Sequence, residues 1–208
     1  MTSGDDVERA LAELRAGRPV VLPTDTVYGI AALPGVTGAV EAVFAAKGRP
    51  EAKPLPVLAA RLDDLEAIAE LAPAARRLAH AFWPGPLTVV VPRARGLVWD
   101  LGSGPGSTIA LRIPDCDVAL RLLSRSGPLA VTSANRSGES PATTVAEARA
   151  ALGEAVRVFV DGGPRGGAVS TIVSVVDRPQ VLRGGAIPER EVFRALDSGA
   201  ERSPNFDA

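Results

Sequence analysis

The sequence predicts an α/β protein: a mixed, mostly buried open sheet covered by helices. Two observations carry that expectation. Short β-branched runs alternate with helical patterns along the chain. The composition, 46% hydrophobic and 23% charged over 208 residues, is that of an ordinary globular protein long enough for one well-formed core.

The elements follow in order. Val7, Ala10, Leu11 and Leu14 recur at helical spacing, and Gly17 is placed to end that helix. Val20-Val21-Leu22, bounded by prolines, suits a buried strand, with a loop over 23–29 directly after it. Val40, Val43 and Phe44 fit a helix closed by Gly48. Leu55 to Leu58 fit a strand, followed by helical patterns over 61–71 and 73–82. Leu87 to Val91 and Thr108 to Ile113 read as strands, and Asp117 to Arg125 as a helix ending near Gly127. Leu129 to Thr132 reads as a strand leading into a polar loop. Thr144 and Glu147 then form a capping box for a helix through Leu152. Val156 to Val160, Thr171 to Val176 and Val181-Leu182 complete the strands. One domain over 1–197 is expected, with 198–208 polar enough for a disordered tail.

Composition excludes several chemistries. Cys116 is the single cysteine and His80 the single histidine, so an intramolecular disulfide, a thiolate cluster and a two-imidazole metal site are all ruled out. A net charge of −1 gives no global attraction to nucleic acid. No apolar run approaches the roughly 18 residues of a membrane span, and Met1 to Asp6 lack a secretory start, so the cytoplasm is the expected compartment. His80 sits in a predicted helix beside Phe82 and Trp83, without a G-x-S-x-G elbow anywhere, and reads as structural. Acidic neighbours Asp115 and Asp117 disfavour a Cys116 thiolate.

The polar residues of interest gather at strand ends: Thr24, Asp25, Thr26 and Tyr28 after one strand, Thr132, Ser133 and Asn135 after another. Ligands of open α/β sheets bind there. Lys47-Gly48-Arg49-Pro50-Glu51-Ala52-Lys53-Pro54 places three cations on a stretch whose prolines disfavour a helix. Such a rigid loop can hold phosphate oxygens, although no Walker-type P-loop is present. Arg112 interrupts an apolar strand and needs a partner to offset its desolvation. A structural ion pair and a clamp on an amino-acid carboxylate both satisfy that need. Arg183 before Gly184-Gly185, and Ser170 after the glycine-rich 162–167, extend the candidates.

Taken in order, several segments resemble the YrdC/Sua5 family of threonylcarbamoyl-AMP synthases in its short, one-domain form. These are Pro-Thr-Asp-Thr-Val-Tyr-Gly (23–29), Lys-Gly-Arg-Pro (47–50) with Lys53-Pro54-Leu55, Trp-Pro-Gly-Pro-Leu-Thr (83–88), Ala-Leu-Arg-Ile-Pro (110–114), Thr-Ser-Ala-Asn-Arg-Ser-Gly (132–138), Ser-Thr-Ile-Val (170–173) and Leu-Arg-Gly-Gly (182–185). The resemblance implies a YrdC-like open twisted sheet with flanking helices around a concave cationic cavity. It implies threonine binding by Thr26, Arg112, Thr132 and Ser170, catalysis by Lys47 and Arg49, and ATP binding by Arg49, Lys53, Thr108, Ser133, Ala134, Asn135, Ala142 and Arg183. Mg2+ would enter with ATP, with no protein metal ligands. The other substrates would be L-threonine and bicarbonate, with contact to tRNA and to a downstream threonylcarbamoyl transferase, and no membrane. One departure is visible: Leu58 stands where many members of the family carry histidine. An RNA-binding module without catalysis is the alternative, disfavoured by the 4% aromatic content. A carbamoyl-adenylate enzyme of hydrogenase maturation is a second rival, set aside because such domains sit in longer, cysteine-rich chains.

Overall fold

A sheet with apolar residues on both faces must be covered on both, and a computed structural model of the chain shows helices on each side. It describes residues 4–48, 54–102 and 106–198. The strands are β1 (Val20–Pro23), β2 (Tyr28–Ala32), β3 (Val57–Leu58), β4 (Leu87–Pro92), β5 (Thr108–Arg112), β6 (Leu129–Ser133), β7 (Thr171–Ser174) and β8 (Gln180–Arg183). The helices are α1 (Gly4–Arg15), α2 (Ala39–Lys47), α3 (Leu62–Glu66), α4 (Pro73–Phe82), α5 (Asp117–Ser126), α6 (Val145–Leu152) and α7 (Glu189–Asp197).

The strands form one eight-stranded sheet in the order β1-β2-β6-β3-β5-β4-β7-β8. β3 with β5 and β4 with β7 are parallel, and the remaining pairs are antiparallel. Successive side chains point to opposite faces. Val57, Leu87, Val89, Val91, Ile109, Leu111 and Val173 face one way, into a core completed by Val43 and Phe44 of α2, Leu78 of α4 and Val192 of α7. On the other face α1 and α5 pack Leu11, Leu14, Leu122 and Leu123 against Leu22, Leu58, Leu129 and Val131. Each such leucine contributes roughly 1.5–3 kcal/mol on burial. This second helical layer covers only the β1-β2-β6-β3 half. Over β5, β4 and β7 the same face carries the half-buried Ala110, Val90 and Ser174, and that uneven cover leaves a concavity.

Three expectations are corrected. The stretch 23–29 is not all loop: Tyr28 opens β2, because pairing with β1 on one side and β6 on the other outweighs the weak strand propensity of Gly29, Ala31 and Ala32. The run Val156 to Val160 makes a single bridge, Val21 to Phe159, flanked by Val21 N–H to Val158 O (2.9 Å) and Val160 N–H to Val21 O (2.8 Å). The helical pattern over 61–71 shortens to α3, since Ala69 leaves to bridge Arg93. Helix α7 was unforeseen: its buried Val192 and Leu196 are too few to dominate a charged segment, and they pay off only against α4. The Thr144 cap is as expected, its hydroxyl accepting from Glu147 N–H at 3.1 Å. Residues 199–208, most of the expected tail, lie outside the described residues.

Candidate functional site

Register assembles the site. Leu58 pairs with Arg112, Thr88 with Ile172, and Ile172 with Arg183. One step beyond the Val89–Leu111 pair, Thr88 neighbours Arg112. A single row thus crosses five strands, and all five residues line a cavity of about 150 Å³. The ends of β1 and β6 close it with Thr24, Thr26, Thr132 and Ser133, and Val169 and Ser170 enter from the segment before β7. The volume is well below the roughly 300–1,000 Å³ of sites for drug-sized ligands, and suits an amino-acid-sized guest.

The turn after β1 is built by Thr24. Its hydroxyl accepts from the N–H groups of Thr26 (3.2 Å) and Val27 (3.3 Å) and donates to Val27 O (2.7 Å). Thr26 Oγ1 lies 2.9 Å from Thr24 Oγ1 and accepts from Arg112 Nη1 at 3.1 Å. One of its three hydrogen-bonding sites is left for a ligand. Arg112 also donates from Nε to Gly85 O (3.0 Å) and from Nη2 to Asp25 Oδ1 (2.6 Å). Burial pulls the guanidinium pKa down, the charge and hydrogen bond of Asp25 push it back up, and the positive charge of Arg183 lowers it further. Both readings left open for Arg112 meet here. It is ion-paired, and of its five N–H bonds three are committed and two remain for a guest.

Arg183 on β8 donates from Nε (3.2 Å) and Nη2 (2.8 Å) to Ser170 O, and from Nη2 to Ser170 Oγ (3.1 Å). Burial lowers its pKa as well, and among the described residues no carboxylate pairs with it. Gly185 makes this approach possible: a Cβ there would stand 2.4 Å from Val169 O and 2.5 Å from Ser170 C. Ala186 N–H to Val169 O (2.9 Å) and Thr171 Oγ1 to Ile187 O (2.7 Å) then pin the two segments together.

Lys47, at the end of α2, is buried. Its ammonium donates to Ser133 O, to Asn135 O (2.6 Å) and to Asn135 Oδ1 (3.4 Å). It thereby moors the loop after β6, which Asn135 Nδ2 tightens through Arg136 O and Glu139 O, both at 2.8 Å. Across Pro141 lies a wider groove of about 660 Å³ lined by Ala134, Asn135 and Ala142.

The structure thus brings Thr26, Arg112, Thr132, Ser133, Ser170 and Arg183 around the smaller cavity, and Ala134, Asn135 and Ala142 around the adjoining groove. Thr108 is not among the lining residues. It shares the face of Arg112 four residues along β5, about 13 Å away. Arg49 and Lys53 lie outside the described residues. Thr88 was missed as a site residue although its motif was quoted. It interrupts an apolar strand as Arg112 does, and that was the available signal. Leu58, the departure seen in the sequence, forms part of the apolar wall with Val131 and Ile172.

An open mixed α/β sheet carries an amino-acid-sized cavity with two guanidinium groups, next to a larger groove, which is the architecture of a small-molecule-binding protein. The Sua5/YciO/YrdC family model, described as telomere recombination, matches residues 12–185. The chain belongs to that family. A Mycobacterium leprae protein is 44% identical over 91% of this chain and 87% of its own length. The threonylcarbamoyl-AMP synthase of Bacillus subtilis is 37% identical over 92% of this chain and 56% of its own. The crystal structure of Pyrococcus abyssi Sua5 complexed with L-threonine superposes with a TM-score of 0.85 at 35% identity, covering 91% of this chain and 56% of that one. The chain therefore spans just over half the length of these last two proteins. Among the described residues no helix is long and apolar enough to cross a membrane.

Proposed function

We propose that this chain is a threonylcarbamoyl-AMP synthase, converting L-threonine, bicarbonate and ATP to threonylcarbamoyl-AMP, pyrophosphate and water. The observation that carries the reading is the row Leu58, Arg112, Thr88, Ile172, Arg183. It sets two guanidinium groups, balanced by the single carboxylate of Asp25, against a cavity the size of one amino acid. Arg112 and Ser170 take the threonine carboxylate, Thr26 accepts from its amine, and Thr132 closes the same pocket. The amine bonds to the carbon of CO2 supplied as bicarbonate and loses a proton, giving a carbamate. A carbamate oxygen then bonds to the α-phosphorus of ATP as the bond to pyrophosphate breaks. No protein nucleophile is needed, so positioning and fixed positive charge carry the rate.

Ser133 and Arg183 at the smaller cavity and Asn135 at the groove past Pro141 hold the nucleotide together with Arg49 and Lys53, with Ala134 and Ala142 lining that groove and Thr108 farther along the open face. Lys47 contributes by fixing the Ser133–Asn135 carbonyls. Mg2+ enters as the companion of ATP, held by phosphate oxygens and water. The product would pass to a threonylcarbamoyl transferase acting on tRNA, in the cytoplasm.

The test is pyrophosphate release by the full chain with Mg-ATP, omitting L-threonine or bicarbonate in turn. Release that requires both is the expected result, with Arg49→Ala losing most of it while keeping the fold. Salt-dependent RNA affinity without pyrophosphate release would instead favour a binding module.

A further inference from the structure

Thr88 is almost wholly buried on β4, a hydroxyl between the core residues Leu87 and Val89. Its Oγ1 lies 2.9 Å from Ser170 Oγ, and among the described residues that is its only side-chain hydrogen bond. A buried hydroxyl proton without an acceptor costs about 1–3 kcal/mol, so Thr88 donates and Ser170 accepts. Arg183 Nη2 has no lone pair to offer, so it too donates to Ser170 Oγ, at 3.1 Å. Both lone pairs of Ser170 are then filled from inside the protein. Its own O–H has one direction left, the cavity that Ser170 lines.

We infer that Thr88 is a positioning residue for the amino-acid substrate: by donating to Ser170 Oγ it commits the Ser170 hydroxyl as a donor to the substrate carboxylate. This rests on the reading of the cavity as an amino-acid pocket. Without the Thr88 proton, Ser170 keeps a free lone pair and gains a second rotamer in which its O–H no longer meets the carboxylate. Valine keeps the shape of threonine on a strand while removing the hydroxyl; serine restores the donor. Position 88 sits opposite Ile172 in the β4–β7 register, where either residue fits the pleat.

The experiment is steady-state pyrophosphate release by the full chain at varied L-threonine and, separately, varied Mg-ATP, for the wild type, Thr88→Val, Thr88→Ser, Ser170→Ala and the Thr88→Val/Ser170→Ala pair. Thr88→Val raises KM for L-threonine about tenfold, corresponding to roughly 1.4 kcal/mol, with KM for ATP and kcat altered less than about twofold, and Thr88→Ser restores it. In the Ser170→Ala background Thr88→Val adds nothing, because its route of action is gone. An unchanged threonine KM in a folded Thr88→Val, or the same penalty with and without Ser170, overturns the role of Thr88. A wild-type chain that turns over ATP without any response to L-threonine overturns the amino-acid reading itself, and this role with it.

Discussion

Arg112 Nη2 lies 2.6 Å from Asp25 Oδ1, with both side chains largely sealed from solvent, so the guanidinium in the middle of the sheet is balanced by a carboxylate from the turn after β1. The other oxygen, Asp25 Oδ2, is buried and has no hydrogen-bond partner among the described residues. Removing one member of such a pair leaves an uncompensated buried charge. Asp25→Ala is expected to lower stability by about 3–5 kcal/mol in urea unfolding. The apolar double replacement Asp25→Leu/Arg112→Met is expected to recover most of that loss while abolishing turnover. Equal destabilisation in both variants would show that packing, and not charge balance, holds this turn.

Lys47 tests how the loop after β6 is held. Lys47→Met removes the ammonium that the carbonyls of Ser133 and Asn135 share, leaving Ser133 O with the Asn135 N–H at 3.0 Å. Hydrogen bonds to a charged group are worth about 1.5–3 kcal/mol each. We expect a fall in thermal midpoint of at least about 5 °C, larger than for an exposed substitution, together with weaker ATP binding by calorimetry. An unaltered midpoint would place the loop's stability elsewhere.

Gly185→Ala probes the close approach that seats Ser170. The added Cβ would meet backbone atoms of Val169, Ser170 and Thr171 within 2.4–2.5 Å, and backbone cannot step aside as a side chain can. A loss of at least about 2 kcal/mol in denaturant unfolding follows from overpacking of this kind. Gly184→Ala meets nothing within 4 Å and should be close to neutral. Similar behaviour of the two variants would contradict the geometry.

A fourth prediction concerns pH. Asp161 accepts from Gly163 N–H at 2.8 Å, and this bond above all holds its carboxyl below the ordinary range, with help from the Tyr28 hydroxyl and against burial. The stabilisation is present above about pH 4 and is lost as pH falls through the depressed value. Burial, in contrast, pushes the Tyr28 phenol up. The fold therefore favours the neutral phenol: that contribution is complete below about pH 10 and disappears as pH rises through the raised value. Thermal midpoints against pH should show Asp161→Asn differing from wild type less on the acid limb than at neutrality. Tyr28→Phe should differ less on the alkaline limb. Parallel curves across the whole range would remove these two groups from the pH response.

The legible parts of this protein were those with local causes. Helix α6 was readable to its first residue because Thr144 Oγ1 accepts from Glu147 N–H three positions on, while the Glu147 carboxylate reaches back to accept from Thr143 N–H. β4 and β5 were readable because apolar β-branched runs declare themselves within five or six residues. β2 was not, since Tyr28–Ala32 is a strand only when β1 and β6 pair with it, and Gly29 leaves room for Val131, whose Cγ1 would stand 2.7 Å from an added Cβ. Helix α7 was likewise invisible, its two buried residues acquiring meaning only beside α4.

For the site, residue types and their order along the chain carried the reading: hydroxyls, amides and arginines at strand ends, in a chain with one histidine and one cysteine. Those are properties of side chains, and a chain carries them whether folded or not. Tertiary structure decided who faces whom. Sheet register set Leu58, Arg112, Thr88, Ile172 and Arg183 in one row, paired Asp25 with Arg112 across 87 positions, and directed the Ser170 hydroxyl through Thr88 and Arg183. Strand order is non-local, fixed by the packing of whole faces against α1, α5, α2 and α7, so no window of sequence contains it.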